Sequence, residues 1–521
     1  MKSRIARAAL CAAVFGLPSL ALGQDTSTST EPTTAAEPSP FGLGFEYRVW
    51  GHNADETNYD GDPTTQAALY QRLRLDADVT YGNFRFDVEL QGVTGRLAGD
   101  ESPVIPEQAI TGTIPENDIT DGLIDPYELF ITWNTSIAQL RLGLQKSSFG
   151  LGIVANDGVE DENMLFNQKF GADRGLRLLV ATKPFAAFAS SRVLKNVYLA
   201  LGGDFVYHDD NANFLEGDRA IQFVGSLFYR DADPTNADNA TFLGVYTAVR
   251  SQEDREITGI EPDNTLDVVA IDISGRKSFV TESDFLVSMG AEAVLLTGES
   301  TRAYTQDGQD KTKLLGLGAA GDMMIRWNPA HAAFRVLAGY ASGDSNSDDD
   351  TLYRFRFDPN YKVGLVMFDQ YIPAATRESY RRVTDPERSG EAPRGVYGLV
   401  NEGAIENAIY LNPQLQLGDP EGLLTGVGAL WAWSAVPMAD PYSSFANGGV
   451  LSGINGRENA SRQLGFEVDV SARYRKKIIS DLTLELKAEY GILFPGAAFD
   501  DAAGVSDGAQ NLVRGRVALS W

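Results

Sequence analysis

The residues best placed to do chemistry in this chain are charges set two apart. Arg72, Arg74, Asp76 and Asp78 alternate with apolar residues ahead of Gly82-Asn83, and Arg85, Asp87 and Glu89 alternate after it. That spacing puts the charges on one face of a strand and Leu73, Leu75, Ala77, Val79, Phe84, Phe86 and Val88 on the other. One face then meets water and the other an apolar medium, which is either a soluble core or lipid around a water-filled barrel. Aligned charges can hold register as a ladder, shape the field of an ion-selective pore, or gather a divalent cation such as Ca2+. With Tyr81 opposite Phe84, Asp78 faces Asp87 and Asp76 faces Glu89. Such a group calls for a neutralising partner: Arg48, Arg85, an inserted loop or a cation.

Catalytic chemistry has little to work with. The only histidines are His52, His208 and His331, and no two share a strand. Gly343-Asp344-Ser345 lies in an Asp-rich stretch without the strand-turn-helix setting of a nucleophile elbow. The chain is therefore read as a non-enzyme, with an outer-membrane hydrolase as the weakest alternative.

The same two-residue rhythm recurs from Phe41 to Trp521 in about 18 segments, each near the roughly 9 to 11 residues that a tilted transmembrane strand needs. Connections alternate long and short. Long ones fall around 53 to 68, 96 to 124, 149 to 173, 208 to 218, 253 to 264, 298 to 311, 344 to 402, 438 to 462 and 494 to 510, with short turns between. Soluble sandwiches have no reason to keep long loops at one end, whereas outer-membrane barrels do. The expected fold is all-β, a transmembrane antiparallel up-and-down barrel of 18 strands, or of 20 if loop 344 to 402 crosses the membrane. Within that loop, 351 to 358 and 362 to 369 predict a hairpin, either folded into the lumen as a constriction or extending the wall. Gly422 to Ala439 carries no charge, but its glycines and the spacing of Trp431 and Trp433 favour a strand over a spanning helix.

Residues 1 to 23 read as a signal peptide, with Lys2, Arg4 and Arg7 ahead of an apolar run. Residues 24 to 40, rich in Ser, Thr, Pro and Glu, read as a disordered periplasmic leader, and 41 to 521 as the barrel. The one cysteine, Cys11, lies in the signal segment, so thiolate metal sites and disulfides are excluded from the mature chain. A formal charge of −27 opposes binding to nucleic acid. Both termini are expected in the periplasm, as an even strand number requires, and no large plug domain precedes the first strand.

In an 18-stranded barrel, strands 16, 17, 18, 1, 2 and 3 form one wall. Its lumen-lining cations are Arg473, Arg475, Lys487, Arg514, Arg516, Arg48, Arg72, Arg74 and Arg85. They are matched by Glu467, Asp469, Glu485, Glu489, Glu46, Asp76, Asp78, Asp87 and Glu89. The readings are a charge ladder or an ion-selective pore. Acidic loops, with Asp55, Glu56, Asp60 and Asp62 in the first, Asp157, Glu160, Asp161 and Glu162 in the third, and Asp344 and Asp348 to Asp350 in the seventh, read as solvated surface. Divalent-cation bridging, to lipopolysaccharide or within a loop, is the alternative. No cofactor is expected beyond a Ca2+ ion at these acidic groups.

The carboxyl end, NLVRGRVALSW, is an amphipathic strand ending on Trp521. It resembles the last strand of Gram-negative outer-membrane porin-like barrels, which implies outer-membrane lipid, lipopolysaccharide and the barrel assembly machinery as partners. LRLGLQKSSFGLGIVANDG at 140 to 158, YRFRFDPNYKVGLVMFDQ at 353 to 370 and AEYGILFPGAAF at 488 to 499 are similar to segments of the alginate-export type and its relatives. The resemblance implies an 18-stranded polysaccharide export pore with a positively charged lumen. The residues themselves point to a passive porin-like channel for small hydrophilic or charged solutes, with a plugged structural or adhesion barrel as the alternative.

Overall fold

The computed structural model describes residues 41–56, 64–99, 124–161, 164–169, 171–215, 217–233, 236–254, 264–302, 311–346, 349–389, 401, 403–448, 450–479 and 481–521. The signal peptide, the leader and the acidic stretch 58 to 62 lie outside these residues.

Alternating side chains drive eighteen strands into one closed antiparallel barrel. They are β1 (Phe41–Glu56), β2 (Thr64–Tyr81), β3 (Phe84–Gly99), β4 (Asp125–Asn134), β5 (Ala138–Lys146) and β6 (Arg174–Thr182). Next come β7 (Val197–His208), β8 (Arg219–Asp233), β9 (Asn236–Glu253), β10 (Thr265–Val280), β11 (Phe285–Ser300) and β12 (Thr312–Trp327). The last six are β13 (Ala332–Ala341), β14 (Ala408–Gly418), β15 (Leu423–Ser434), β16 (Gln463–Ile479), β17 (Leu482–Pro495) and β18 (Gln510–Ser520). Each pairs with its sequence neighbour, and β18 closes on β1 with Tyr47 opposite Leu519. Trp521 continues this seam: its N–H and C=O each exchange a hydrogen bond with Phe45.

The apolar residues of the period-two pattern face outward. Leu75, Phe84, Leu142, Ile221, Ile273 and Leu317 are all exposed, with no cover from the described residues. Rings gather near both rims, Phe84 on Trp133 and Phe285 on Trp327 at the end carrying the termini, Trp431 on Phe466 toward the other. An edge-free barrel with an apolar belt between aromatic girdles is the architecture of a bacterial outer-membrane protein, because lipid offers no partner to an open sheet edge. The uncharged stretch from Gly422 forms β15 rather than a helix.

Three details differ from the sequence reading. Strands β2 and β9 begin earlier than the apolar pattern, so the first long loop and the turn after β8 shrink. The rule of alternating loop length has an exception, since the turn from 183 to 196 at the terminal end contains a single turn of helix, Arg192–Lys195. Most consequential, the segment after β13 is neither a hairpin nor an extra membrane-crossing pair. Thr351 and Leu352 make only a short parallel bridge to Lys313 and Leu314. The chain then runs as an extended strap into a π-turn, Met367–Tyr371, and helix α1, Ile372–Thr384.

This strap and the loop between β5 and β6 fold inside the barrel. Ile153, Leu165 and Phe166 of the shorter loop pack with Phe355, Phe357, Leu365, Val366, Met367 and Phe368 of the longer one. Both sit on the inner faces of β11 to β18, where Val294, Ala320, Leu337, Tyr410, Leu430, Ala432 and Leu493 give them an apolar lining. One side of the lumen is thus filled by a dry core. Its apolar area supplies the main stabilisation of the two inserted loops.

Candidate functional site: a lumen narrowed by two docked loops

The two inserted loops are fixed by the same device. Glu292 on β11 points inward and accepts hydrogen bonds from three consecutive backbone N–H groups, those of Leu151, Gly152 (3.1 Å) and Ile153 (3.2 Å). Glu467 on β16 does the same for the strap: Oε1 accepts from Leu365 (2.6 Å) and Val366 (2.8 Å), and Oε2 from Met367 (2.7 Å). Successive N–H groups converge on one anion only where the backbone turns sharply. Gly150, at φ +63°, and Gly364, at φ +72°, supply those turns. A Cβ on Gly364 would lie 2.7 Å from Glu467 Oε1 and 2.9 Å from Leu430 Cδ2.

The loops also hold each other. Asp358 N–H donates to Ile153 O (2.9 Å), and Gly171 N–H to Asn360 Oδ1 (3.1 Å). The Tyr410 hydroxyl on β14 donates to that of Tyr361 (3.1 Å), and Tyr371 stacks edge-on against Phe499 at 4.8 Å. Asp440, at the N-terminus of the short helix α2 (Pro441–Ala446), accepts from Ser443 N (2.7 Å) and from Ser379 Oγ of α1.

Beside this filled side, and sharing β16 to β18 with it, charges face the lumen in register. Arg473, Lys487 and Arg516 lie directly across from one another on β16, β17 and β18; Arg48 faces Arg72, and Lys146 faces Arg174. Like charges directly opposed destabilise a sheet unless they are offset. Carboxylates one rung away do so. Glu485 takes Arg475 (2.6 Å) and Arg516 (2.5 Å), and Glu489 takes Lys487 (2.9 Å) and Arg514 (2.8 Å). Glu46 takes Arg48 and Arg72, both at 2.9 Å, and Glu89 takes Lys146 (2.7 Å) and Arg74 (3.6 Å).

The register at the first hairpin is the expected one, with Asp76 opposite Glu89 and Asp78 opposite Asp87. The carboxylates there are offset by side chains: Arg85 contacts Asp87 (2.8 Å) and Asp78 (3.8 Å), and Lys146 and Arg74 serve Glu89. Asp76 and Arg85 are exposed near the terminal end, whereas Arg48, Arg72, Arg473, Lys487, Arg514 and Arg516 are buried in mid-barrel. Arg473 donates to Pro420 O (3.2 Å).

Several members of this wall escaped the sequence reading. Lys146 and Arg174 join Arg74, which the sequence did assign to the wall, around the ring of Tyr127 at 5.4, 4.7 and 4.2 Å. Arg177 grips Asp204 through Nε (2.6 Å) and Nη2 (2.5 Å). Here the opposing pairs do not exhaust the donors: Arg48 Nε, Arg72 Nε, Arg74 Nη2, Arg174 Nε and the Tyr127 hydroxyl find no acceptor among the described residues. These atoms are buried within the wall rather than on its water-facing surface.

Glu160 corrects the picture of the third loop as solvated surface. It accepts from Arg48 Nη1 (2.6 Å) on β1 and from Arg516 Nη1 (2.8 Å) on β18. Burial would raise its carboxyl, but Arg48, Arg516 and Lys487 outweigh that and hold it well below the usual carboxylate range. The loop thus spans the lumen, from Glu292 on β11 to the seam between β18 and β1.

At the far mouth three loops bring carboxylates together. Oxygens of Asp173, Asp209 and Asp210 lie within 4.8 Å of one another, and Asp358 of the strap adjoins them. Arg250 meets Asp209 at 2.5 Å. Burial, reinforced by Asp210, pushes Asp358 up to about 7; burial with Asp209 pushes Asp210 up to about 6. His208 ends β7, His52 stacks on Tyr70 at 5.9 Å, and His331 lies in a terminal-end turn, so the three histidines stay apart.

No family model and no curated protein matches the sequence. Among solved structures, the chain is similar to a BenF-like porin from Pseudomonas fluorescens Pf-5, with a TM-score of 0.49 at 10% identity over 92% of this chain and 98% of that one. It is similar also to Pseudomonas aeruginosa OccK11, with a TM-score of 0.46 at 14% identity over 92% and 95% of the two chains. A third likeness is to the outer membrane protein OprD of Pseudomonas aeruginosa, with a TM-score of 0.46 at 12% identity over 92% and 93%.

Proposed function

We propose that the chain is a passive outer-membrane channel for small hydrophilic solutes, with anions favoured. The observation that carries the reading is the docking of two long loops inside the barrel on Glu292 and Glu467, beside a wall of cations in register. A barrel of about 16 to 18 strands leaves an aqueous lumen unless something fills it. Loops that fill one side narrow the route and press solutes toward the other. There Glu46, Glu485 and Glu489 each serve two cations, Arg48 with Arg72, Arg475 with Arg516 and Lys487 with Arg514. Two cations to each of these carboxylates favour a solute anion over a cation.

In this reading the terminal end lies in the periplasm and the inserted loops descend from the cell surface. Trp521 and its seam with Phe45 are the face offered to the assembly machinery, and lipopolysaccharide packs around the outer rim.

A finer reading, export of an acidic polysaccharide, is favoured by one arrangement. The three stretches that resemble alginate-export proteins meet at the constriction: Ile153 bonds Asp358, and Leu365 and Val366 lie against Gly491. One experiment addresses both readings. Refolded protein lacking residues 1 to 23 is inserted in a planar bilayer, and the reversal potential is taken in a salt gradient, with and without an acidic oligosaccharide. Steady openings with anion preference support the channel, and voltage-dependent block by the oligosaccharide supports export. Repeated insertion without current would overturn the open channel in favour of a plugged barrel.

A further inference from the structure

We infer that Glu160 is a tethered counter-ion, which occupies the anion path of the lumen and must be displaced from Arg48 and Arg516 before a solute anion passes. The inference rests on the reading of the chain as an anion-favouring channel and identifies the residue that limits it.

The geometry is that of a ligand. Glu160 offers one oxygen to each of two guanidinium groups from neighbouring strands at 2.6 and 2.8 Å, as a free carboxylate or phosphate oxygen would. Each arginine has a wall carboxylate but shares it with a second cation, Arg72 at Glu46 and Arg475 at Glu485. Arg48 already has Glu46 at 2.9 Å, and Arg516 has Glu485 at 2.5 Å. A carboxylate carried in from a loop therefore supplies negative charge that the shared wall carboxylates leave unmet, in the place that a solute anion would take. Lys487, the third cation near it, is likewise held by Glu489.

The loop is built so that Glu160 can leave without unfolding it. Its stem is fixed on one side by Glu292, by Phe149 stacked on Tyr246 at 5.2 Å, and by the Asn156 N–H on Asp173 at 3.1 Å. On the other side Leu165 and Phe166 are sunk in the core, and Gly171 is held by Asn360. Between these anchors the Glu160 side chain is held mainly by the two arginines; one backbone contact, from Lys169 N at 3.3 Å, is long. Val159 beside it is exposed. Its contacts are electrostatic and reversible, whereas those of the flanking anchors are apolar or backbone-mediated.

Energetically the arrangement is a competition. A site filled by its own tether binds a solute less tightly by the fraction of time that the tether is away. Removing the tether raises apparent affinity and anion throughput together.

The test compares wild type, Glu160→Gln and Glu160→Asp in planar bilayers with potassium acetate, then with potassium phosphate. Glu160→Gln keeps the shape and an acceptor but removes the charge. It is expected to raise the anion-to-cation permeability ratio by about twofold or more and to lower the half-saturating acetate concentration by roughly three- to tenfold. Glu160→Asp, too short to bridge both arginines, should fall between. Asp157→Asn, which removes a neighbouring loop charge that accepts from Val159 N, controls for overall charge. An anion-selective wild type with unchanged ratio and half-saturation in both variants would overturn the inference while leaving the channel intact. A wild type without anion preference would overturn the channel reading itself.

Discussion

Replacing Glu467 by Gln should release the long strap from the barrel wall while leaving the barrel folded. Glu467 is fully buried and serves Leu365, Val366 and Met367 at 2.6 to 2.8 Å. The amide of glutamine has one acceptor oxygen, which can keep the two contacts on the Oε1 side. Its NH2 group then faces the Met367 N–H, donor against donor. Losing one charge-assisted bond and leaving that N–H buried without an acceptor costs about 2 to 4 kcal/mol locally. At 1.4 kcal/mol per factor of ten, the undocked population rises by roughly 30- to 1,000-fold. Hydrogen exchange of residues 361 to 372 in detergent or nanodiscs reads this directly, and open-channel noise should increase in parallel. Gly364→Ala attacks the same contact from the strap: its φ of +72° and the crowding against Glu467 and Leu430 should accelerate exchange over the same residues. Exchange within about threefold of wild type in both variants would refute the reasoning, because the nest of N–H groups would then contribute little to docking.

Two further outcomes are expected. Asp204→Ala strands the Arg177 guanidinium in the lumen wall and removes the acceptor of Gln222, so it should cost about 3 to 5 kcal/mol, read as a lower temperature for loss of the compact electrophoretic form. The far-mouth carboxylates should make the inserted loops sensitive to alkali rather than to acid. Asp358, Asp210 and Asp173 are all raised, first by burial and then by neighbouring carboxylates that include Asp209, so what they contribute to the loop contacts is present at low pH and is lost as pH rises through about 6 to 7. Hydrogen exchange at 153 to 158 should quicken across that interval in wild type and less so in Asp358→Asn; equal pH dependence in the two would count against the assignment.

Much of the barrel is legible in the chain because its two media differ so sharply. Where one strand face meets lipid and the other water, every second residue is constrained, and slipping by one reverses them all. The first hairpin shows this: Asp76 opposite Glu89 and Arg85 opposite Thr80 follow from the alternation and the Gly82-Asn83 turn alone. The charged wall of β16 to β3 follows from closure, which makes the last strand a neighbour of the first. The seventh loop could be marked as functional from its length, but not its course.

Tertiary structure decided what the loops do. A backbone N–H carries no sequence identity, so nothing in Leu365-Val366-Met367 or in Leu151-Gly152-Ile153 announces a carboxylate on a strand far away in the chain. The uncharged run forming β15 did hold a clue. A barrel strand apolar on both faces has lipid on one side and must have protein on the other, and Leu430 and Ala432 do face the inserted strap. Glu160 had no such clue. Among many acidic loop residues its role depends on where the loop is anchored, which sets whether a carboxylate meets water or two arginines. The sequence by itself determined strand, face and register, since these follow from local alternation between two solvents. Which loop enters the lumen, and which charge it carries there, was decided only by contacts between residues a hundred or more positions apart.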